Sequence, residues 1–176
     1  KMNLLEMHNL LVIPGCVRTS SIQNVGAYGV EVKDMISEVE VFDISSGKNK
    51  ILSNEECEFS YRNSIFKNKL KGKVIVKSVS FKLEKFKSSV DKKYTQYSGV
   101  NEELEGKDIT PKSIYEAIVK IRESKLPSVE EYGSCGSTFK NPEISKIQYS
   151  ELLGKFPELP KYDTAMADIV KIPAAY

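Results

Sequence analysis

An α+β fold is predicted by three features of this sequence: alternating β-type runs in its first half, one strongly capped amphipathic helix near residues 110–125, and short capped turns between them. From Ile36 to Ile44, "ISEVEVFDI" alternates, with Val39 and Val41 on one face and Glu38 and Glu40 on the other, the pattern of a half-buried strand. "SSGKNK", Ser45 to Lys50, turns the chain, and Ile51-Leu52 supplies a short partner. In "SNEE", Ser53 and Glu56 form a capping-box signature that opens a short helix. "VIVKSVSFKL", Val74 to Leu83, is β-rich and puts Val79, Phe81 and Leu83 on one face.

The clearest helix is "TPKSIYEAIVKIRESK". Thr110 caps it, Pro111 takes the first helical position, and Ile114, Ala117, Ile118 and Ile121 form one apolar stripe. Arg122 and Lys125 fall near its C-terminal end, where a cation suits the helix dipole. Leu126-Pro127 breaks the pattern and marks a domain boundary, giving domains of residues 1–126 and 127–176. Beyond it, Tyr149 to Lys155 reads as a second short helix, ended by "FPELP". The stretch from Lys85 to Lys107 is polar, long and Tyr-bearing, as functional or mobile loops are.

Bulk composition narrows the class. At 176 residues, 40% hydrophobic and 28% charged, the chain is long enough for a real core. A net charge of +2 gives no case for nucleic acid, and no apolar run approaches the roughly 18 residues of a membrane span. Cys16, Cys57 and Cys135 are odd in number, widely spaced and without clustered His, so neither a disulfide framework nor a metal site is expected. A reducing cytoplasm fits that usage. The chain starts inside an apolar-rich stretch at Lys1 and stops at "KIPAAY", the ends expected of a piece of a longer polypeptide.

Four stretches can carry chemistry. "IPGCVRTSSIQNVGAYG", Ile13 to Gly29, suits a loop whose backbone N–H groups meet an anionic or heteroaromatic ligand, although on composition alone a surface loop is the better reading. "FSYRNSIFK", Phe59 to Lys67, sets Arg62 between aromatics, where a guanidinium can hold a carboxylate; taken alone, an exposed Arg on an edge strand is the better reading. The run "KNKLKGKV" has no interleaved aromatics and reads as a solvated turn. "YGSCGSTFKNP", Tyr132 to Pro142, brackets Ser137 with glycines. His8 is the sole histidine and lies far away in sequence, so neither Ser137 nor Cys135 is expected to be a base-activated nucleophile. A serine without a base can still donate a proton to a carbanion.

Taken together these stretches resemble the UDP-N-acetylenolpyruvoylglucosamine reductase (UDP-N-acetylmuramate dehydrogenase) family. The matching residues are "IPGCV" at Ile13 to Val17, "IQNVGAYGVE" at Ile22 to Glu31, "LSNEECEFSYRNSIFK" at Leu52 to Lys67, "SKLP" at Ser124 to Pro127 and "GSTFKNP" at Gly136 to Pro142, in family order. Tyr97 in "YSGV" resembles the subtype in which a Tyr-bearing loop closes over substrate. The resemblance implies the antiparallel-sheet second half of a flavin-binding domain, followed by the start of a smaller α/β substrate domain. It implies FAD and NADPH as cofactors and a UDP-sugar enolpyruvyl substrate, reduced in cytoplasmic peptidoglycan precursor synthesis by a protein that is monomeric at full length and binds neither nucleic acid nor membrane.

By the same resemblance Arg62 polarises the substrate carboxylate and Ser137 protonates the carbanion. Gly15, Thr19, Ile22 and Gly26 contact the flavin; Tyr97 and Lys125 serve the substrate diphosphate; Tyr61 and Tyr28 wall the site, with Asn141 also in the substrate set. Arg18 stands where the family usually has Gly, Ser21 where it often has Pro, and Asn63 where it has Asp. The alternative implied by these departures is a non-catalytic relative that keeps the fold and nucleotide-sugar binding.

Overall fold

The computed structural model describes residues 7–27, 29–85, 99–125, 128, 131–133, 139–164 and 166–174. The chain divides into two compact units, Lys1–Ser128 and Val129–Tyr176, each mixing helix with antiparallel sheet.

The first unit opens with a 3₁₀ turn (His8–Leu10) and the single helical turn α1 (Val17–Ser20). A minimal hairpin follows, β1 (Gly26–Ala27) and β2 (Val30–Glu31), and then the main sheet of β3 (Ile36–Asp43), β4 (Lys48–Ser53) and β5 (Val74–Phe81), ordered β4-β3-β5. All pairings in it are antiparallel. Val39 and Val41 are buried while Glu38 and Glu40 point outward, as the alternation requires. The partner strand is longer than its two apolar residues suggest. Lys48 to Ser53 pair in register with Asp43 to Glu38, because ladder hydrogen bonds do not depend on side-chain hydrophobicity. The turn shrinks accordingly to Ile44–Gly47.

Two irregularities shape the sheet. Register shifts fall between Ile36 and Glu38 on β3, and opposite Lys77 on β5. Each inserts one residue without a partner, so Ile36 and Val39, three apart, share the core face, as do Val76 and Val79. The core under this sheet gathers Val32, Ile36, Val39, Val41, Cys57 and Phe66.

Ser53 and Glu56 do exchange the expected bonds: Glu56 Oε2 accepts from Ser53 N at 2.8 Å, and Ser53 Oγ accepts from Glu56 N at 3.2 Å. They cap only a 3₁₀ turn, Glu55–Cys57. A second 3₁₀ turn (Ile65–Lys67) leads into the lysine run, which is a series of exposed turns ending at β5.

The polar stretch from Lys85 to Lys107 holds a short helix that its composition hides, α2 (Val100–Leu104), whose Val100 and Leu104 are buried against α3 (Pro111–Lys125). Thr110 Oγ1 accepts from Ser113 N at 3.1 Å and Ser113 Oγ accepts from Thr110 N at 2.9 Å, which caps α3 as predicted. Ile114, Ala117, Ile118 and Ile121 are its buried stripe. Arg122 extends that stripe and is itself buried, whereas Lys125 ends the helix exposed.

The second unit contains β6 (Glu143–Ser145), α4 (Lys146–Leu153), β7 (Tyr162–Asp163) and β8 (Ile169–Lys171), with sheet order β6-β8-β7. α4 begins three residues before the predicted Tyr149. Ser145 and Gln148 form a full capping box, with bonds of 3.0 and 3.2 Å, that starts the helix at Lys146. Tyr149 donates its hydroxyl to Leu159 O at 2.6 Å, tying the helix to the buried Leu159. Among the described residues no helix is long and apolar enough to cross a membrane.

Candidate functional site

Arg62 lies in a tight turn rather than on an edge strand. Ser60 and Asn63 exchange backbone hydrogen bonds of 3.1 and 3.0 Å, and Arg62 between them adopts φ +52°. A left-handed arginine costs on the order of 1–3 kcal/mol unless its surroundings hold it there. Here the guanidinium does so: Nη1 donates to Asn24 O at 3.2 Å and Nη2 donates to Gly26 O. Glu31 Oε1 stands 3.7 Å from Nη1, and the Tyr61 ring lies 5.2 Å from the guanidinium carbon. The side chain keeps 33% of its surface open. With two carbonyls satisfied, part of its five-donor fork remains for a carboxylate.

The loop that receives Arg62 is built for close approach. A Cβ on Gly26 would meet Arg62 Nη1 and Val30 O at 2.8 Å and Glu31 Cγ at 3.0 Å, so a side chain does not fit. Asn24, fully buried at φ +47°, spends its whole amide: Nδ2 donates to Glu31 Oε2 at 3.0 Å and to Ser60 O at 2.9 Å, while Oδ1 accepts from Lys33 N at 3.1 Å. Ser64 Oγ donates to Ile22 O at 2.6 Å. Three segments, 22–26, 31–33 and 60–64, are thereby pinned together. Leaving any of these buried groups unpaired costs about 1–3 kcal/mol.

The other end of this loop lines a cavity of about 470 Å³. Thr19 and Ile22 face it with Arg18 and Cys16, and Phe66, Leu70 and Val74 give it apolar walls beside edge strand β5. Hydroxyls hold the approach to α1 in shape: Thr19 Oγ1 donates to Cys16 O at 2.8 Å and Ser21 Oγ donates to Arg18 O at 2.9 Å. Gly15 precedes this turn at φ +141°.

No protein-family model matches the chain. Individual proteins do. The chain is 39% identical over 173 residues to the UDP-N-acetylenolpyruvoylglucosamine reductase of Flavobacterium johnsoniae, a match covering 97% of this chain and 50% of that protein. With the enzyme of the same name from Aliivibrio fischeri the identity is 41% over 157 residues, covering 89% and 44%. The chain is a homologue of the UDP-N-acetylenolpyruvoylglucosamine reductases. It spans about half the length of these curated relatives. The crystal structure of the reductase from Thermus caldophilus superposes with a TM-score of 0.55 at 25% identity, over 80% of this chain and 41% of that one.

Seen beside these reductases, the residues expected to serve a site sort as follows. Gly26, Arg62 and Tyr61 meet at one cluster, Thr19 and Ile22 share the cavity, and the segment 22–26 joins the two places. Lys125 is the exposed last residue of α3. Asn141 belongs to the second unit, where its Oδ1 accepts from Ala174 N at 3.0 Å. Ser137, Tyr97 and Tyr28 lie outside the described residues. Asn63 does not face Arg62; its Oδ1 accepts from Asn68 Nδ2 at 3.1 Å, and Glu31 is the carboxylate beside the guanidinium. Neither Asn24 and Ser64 as buried pins nor Glu31 beside the guanidinium is foreseen from the sequence. Their only local signal is position: Asn24 and Glu31 lie in the glycine-bearing stretch Ile22 to Glu31, and Ser64 lies two residues after Arg62 in a polar and aromatic one.

Proposed function

We propose that the chain forms part of a flavin-dependent oxidoreductase that reduces a UDP-N-acetylglucosamine enolpyruvyl ether to UDP-N-acetylmuramate, in peptidoglycan precursor synthesis. The observation that carries this reading is Arg62: an oriented, part-open guanidinium fixed to the carbonyls of the Asn24–Gly26 loop. Residues 1–126 are the C-terminal part of the FAD-binding domain, and residues 127–176 the N-terminal part of the substrate domain. The named relatives support the reaction class.

The cavity tests the fit of the cofactor. Its volume and apolar walls suit one planar ring system, with Thr19 and Ile22 on its lining; Gly15 and Gly26 would meet the cofactor from the flanking loop. Bound FAD, recharged by NADPH, supplies the electron pair for reducing the enol ether double bond. This chain's residues manage the charge. Reduction leaves carbanion character on the carbon bearing the carboxylate, delocalised into that carboxylate; Arg62 meets this charge and the Ser137 hydroxyl returns a proton to the carbon. Tyr61 and Tyr28 wall the site, while Lys125, Tyr97 and Asn141 hold the rest of the UDP-sugar. The protein works in the cytoplasm as a monomer.

Arg18, exposed and lining the cavity, favours a second reading: a relative that binds nucleotide sugar without flavin chemistry. Ser137→Ala in the whole polypeptide carrying this sequence separates the two. On the proposed reading, reduction of bound flavin by NADPH survives while enolpyruvyl turnover falls about 10²- to 10⁴-fold, the worth of a positioned proton donor. Equal loss of both half-reactions refutes the role of Ser137, and a polypeptide that never takes up FAD supports the second reading.

A further inference from the structure

We infer that Glu31 is a positioning residue for Arg62, and that carboxylate recognition at the guanidinium depends on it. The inference rests on the reading above, in which Arg62 receives the substrate carboxylate.

At 3.7 Å from Nη1, the Glu31 carboxylate is too far for a good hydrogen bond and acts on Arg62 by charge. Its stronger hold is indirect. Glu31 Oε2 accepts from Asn24 Nδ2 at 3.0 Å, and the Asn24 backbone carbonyl is one of the two acceptors of the guanidinium. Lys33 Nζ sits 3.1 Å from the same Oε2, and the Asp34 backbone N–H donates to the Glu31 side chain, so the carboxylate itself cannot swing. The Glu31 Cγ is also one of the atoms against which Gly26 is packed. One carboxylate thus fixes both edges of the loop that aims Arg62. The Arg62 turn cannot aim the side chain alone, since its backbone sits in a left-handed well that a long side chain leaves by several rotamers.

Binding tests this in the whole polypeptide, with two ligands that differ at the carboxylate: UDP-N-acetylmuramate, which has it, and UDP-N-acetylglucosamine, which lacks it. Glu31→Gln keeps the size of the side chain and removes its charge. Expected is a rise of about tenfold in Kd for the carboxylate-bearing ligand, of the order found between residues of one hydrogen-bond network, with the carboxylate-free ligand unchanged. In an Arg62→Ala background the same change adds no further loss. Equal weakening of both ligands makes Glu31 a merely structural residue and overturns the inference. So does unchanged discrimination in Glu31→Gln while Arg62→Ala abolishes it. If Arg62→Ala keeps the wild-type preference between the two ligands, the functional reading falls and the inference with it. Should Glu31→Gln not fold, Glu31→Asp carries the test: the charge survives one methylene further back, so a roughly threefold rise for the carboxylate-bearing ligand alone supports the inference and wild-type discrimination overturns it.

Discussion

Replacing Gly26 by alanine tests the loop's geometry most directly. The new methyl would lie 2.8 Å from Arg62 Nη1, 2.8 Å from Val30 O and 3.0 Å from Glu31 Cγ. The arginine tip can retreat, but the Val30 carbonyl is backbone of β2, paired through Val30 with Ala27 in the hairpin, and has little room to move. Overpacking of this kind costs about 1–3 kcal/mol. Against it stands a gain of about 0.4–1 kcal/mol, because alanine has fewer conformations than glycine to lose on folding. The net expectation is a loss of about 1–2 kcal/mol. Urea denaturation followed by far-UV circular dichroism reads it, the chain having no tryptophan. Gly133→Ala is the control: among the described residues nothing lies within 4 Å of the place its methyl would take, so it keeps the gain of about 0.4–1 kcal/mol with no clash against it. If Gly26→Ala proves as stable as Gly133→Ala, the close approach between hairpin and guanidinium is wrong.

Two further outcomes follow from the core and the caps. Burial, with a smaller contribution from the negative charge of Glu56, pushes the Cys57 thiol up from 9.0 to about 11. Between those values the unfolded chain releases a proton that the folded chain keeps, so stability falls as pH rises through that window, by at most about 1.4 kcal/mol per pH unit. Alkaline denaturation of Cys57→Ala should lack that fall, and an unchanged slope would show that the thiol is not its source. Thr110→Ala removes the reciprocal cap of α3 and should cost about 1 kcal/mol in the same urea assay; a loss below about 0.3 kcal/mol would mean that tertiary packing alone sets where the helix begins.

What could be read in advance depended on how local its cause is. The helix α3 was legible because Thr110, Pro111 and the Ile114–Ile121 stripe all act within one segment. The sheet was legible from the Val39–Val41 alternation, but its two bulges were not, since an unpaired Ser37 or Lys77 exists only relative to a partner strand. The early start of α4 had a signal, Ser145 with Gln148, in the same form as the box recognised at Ser53. The short α2 had none: Glu102 and Glu103 between Val100 and Leu104 read as loop until α3 offers a surface to cover. The motifs around Arg62 were visible, but their wiring was not. The bond from Asn24 to Ser60 and those from Arg62 to Asn24 and Gly26 join residues 36 to 38 positions apart.

That separation has a consequence for when the molecule becomes competent. The whole β3–β4 hairpin lies between the acceptors of the guanidinium and the turn that carries it, so the cluster is assembled by ring closure over that hairpin. It therefore depends on that hairpin being formed and is lost with it. A substitution deep in β3 that touches no ligand would lower the number of molecules able to bind a carboxylate while leaving the affinity of each intact molecule as it was.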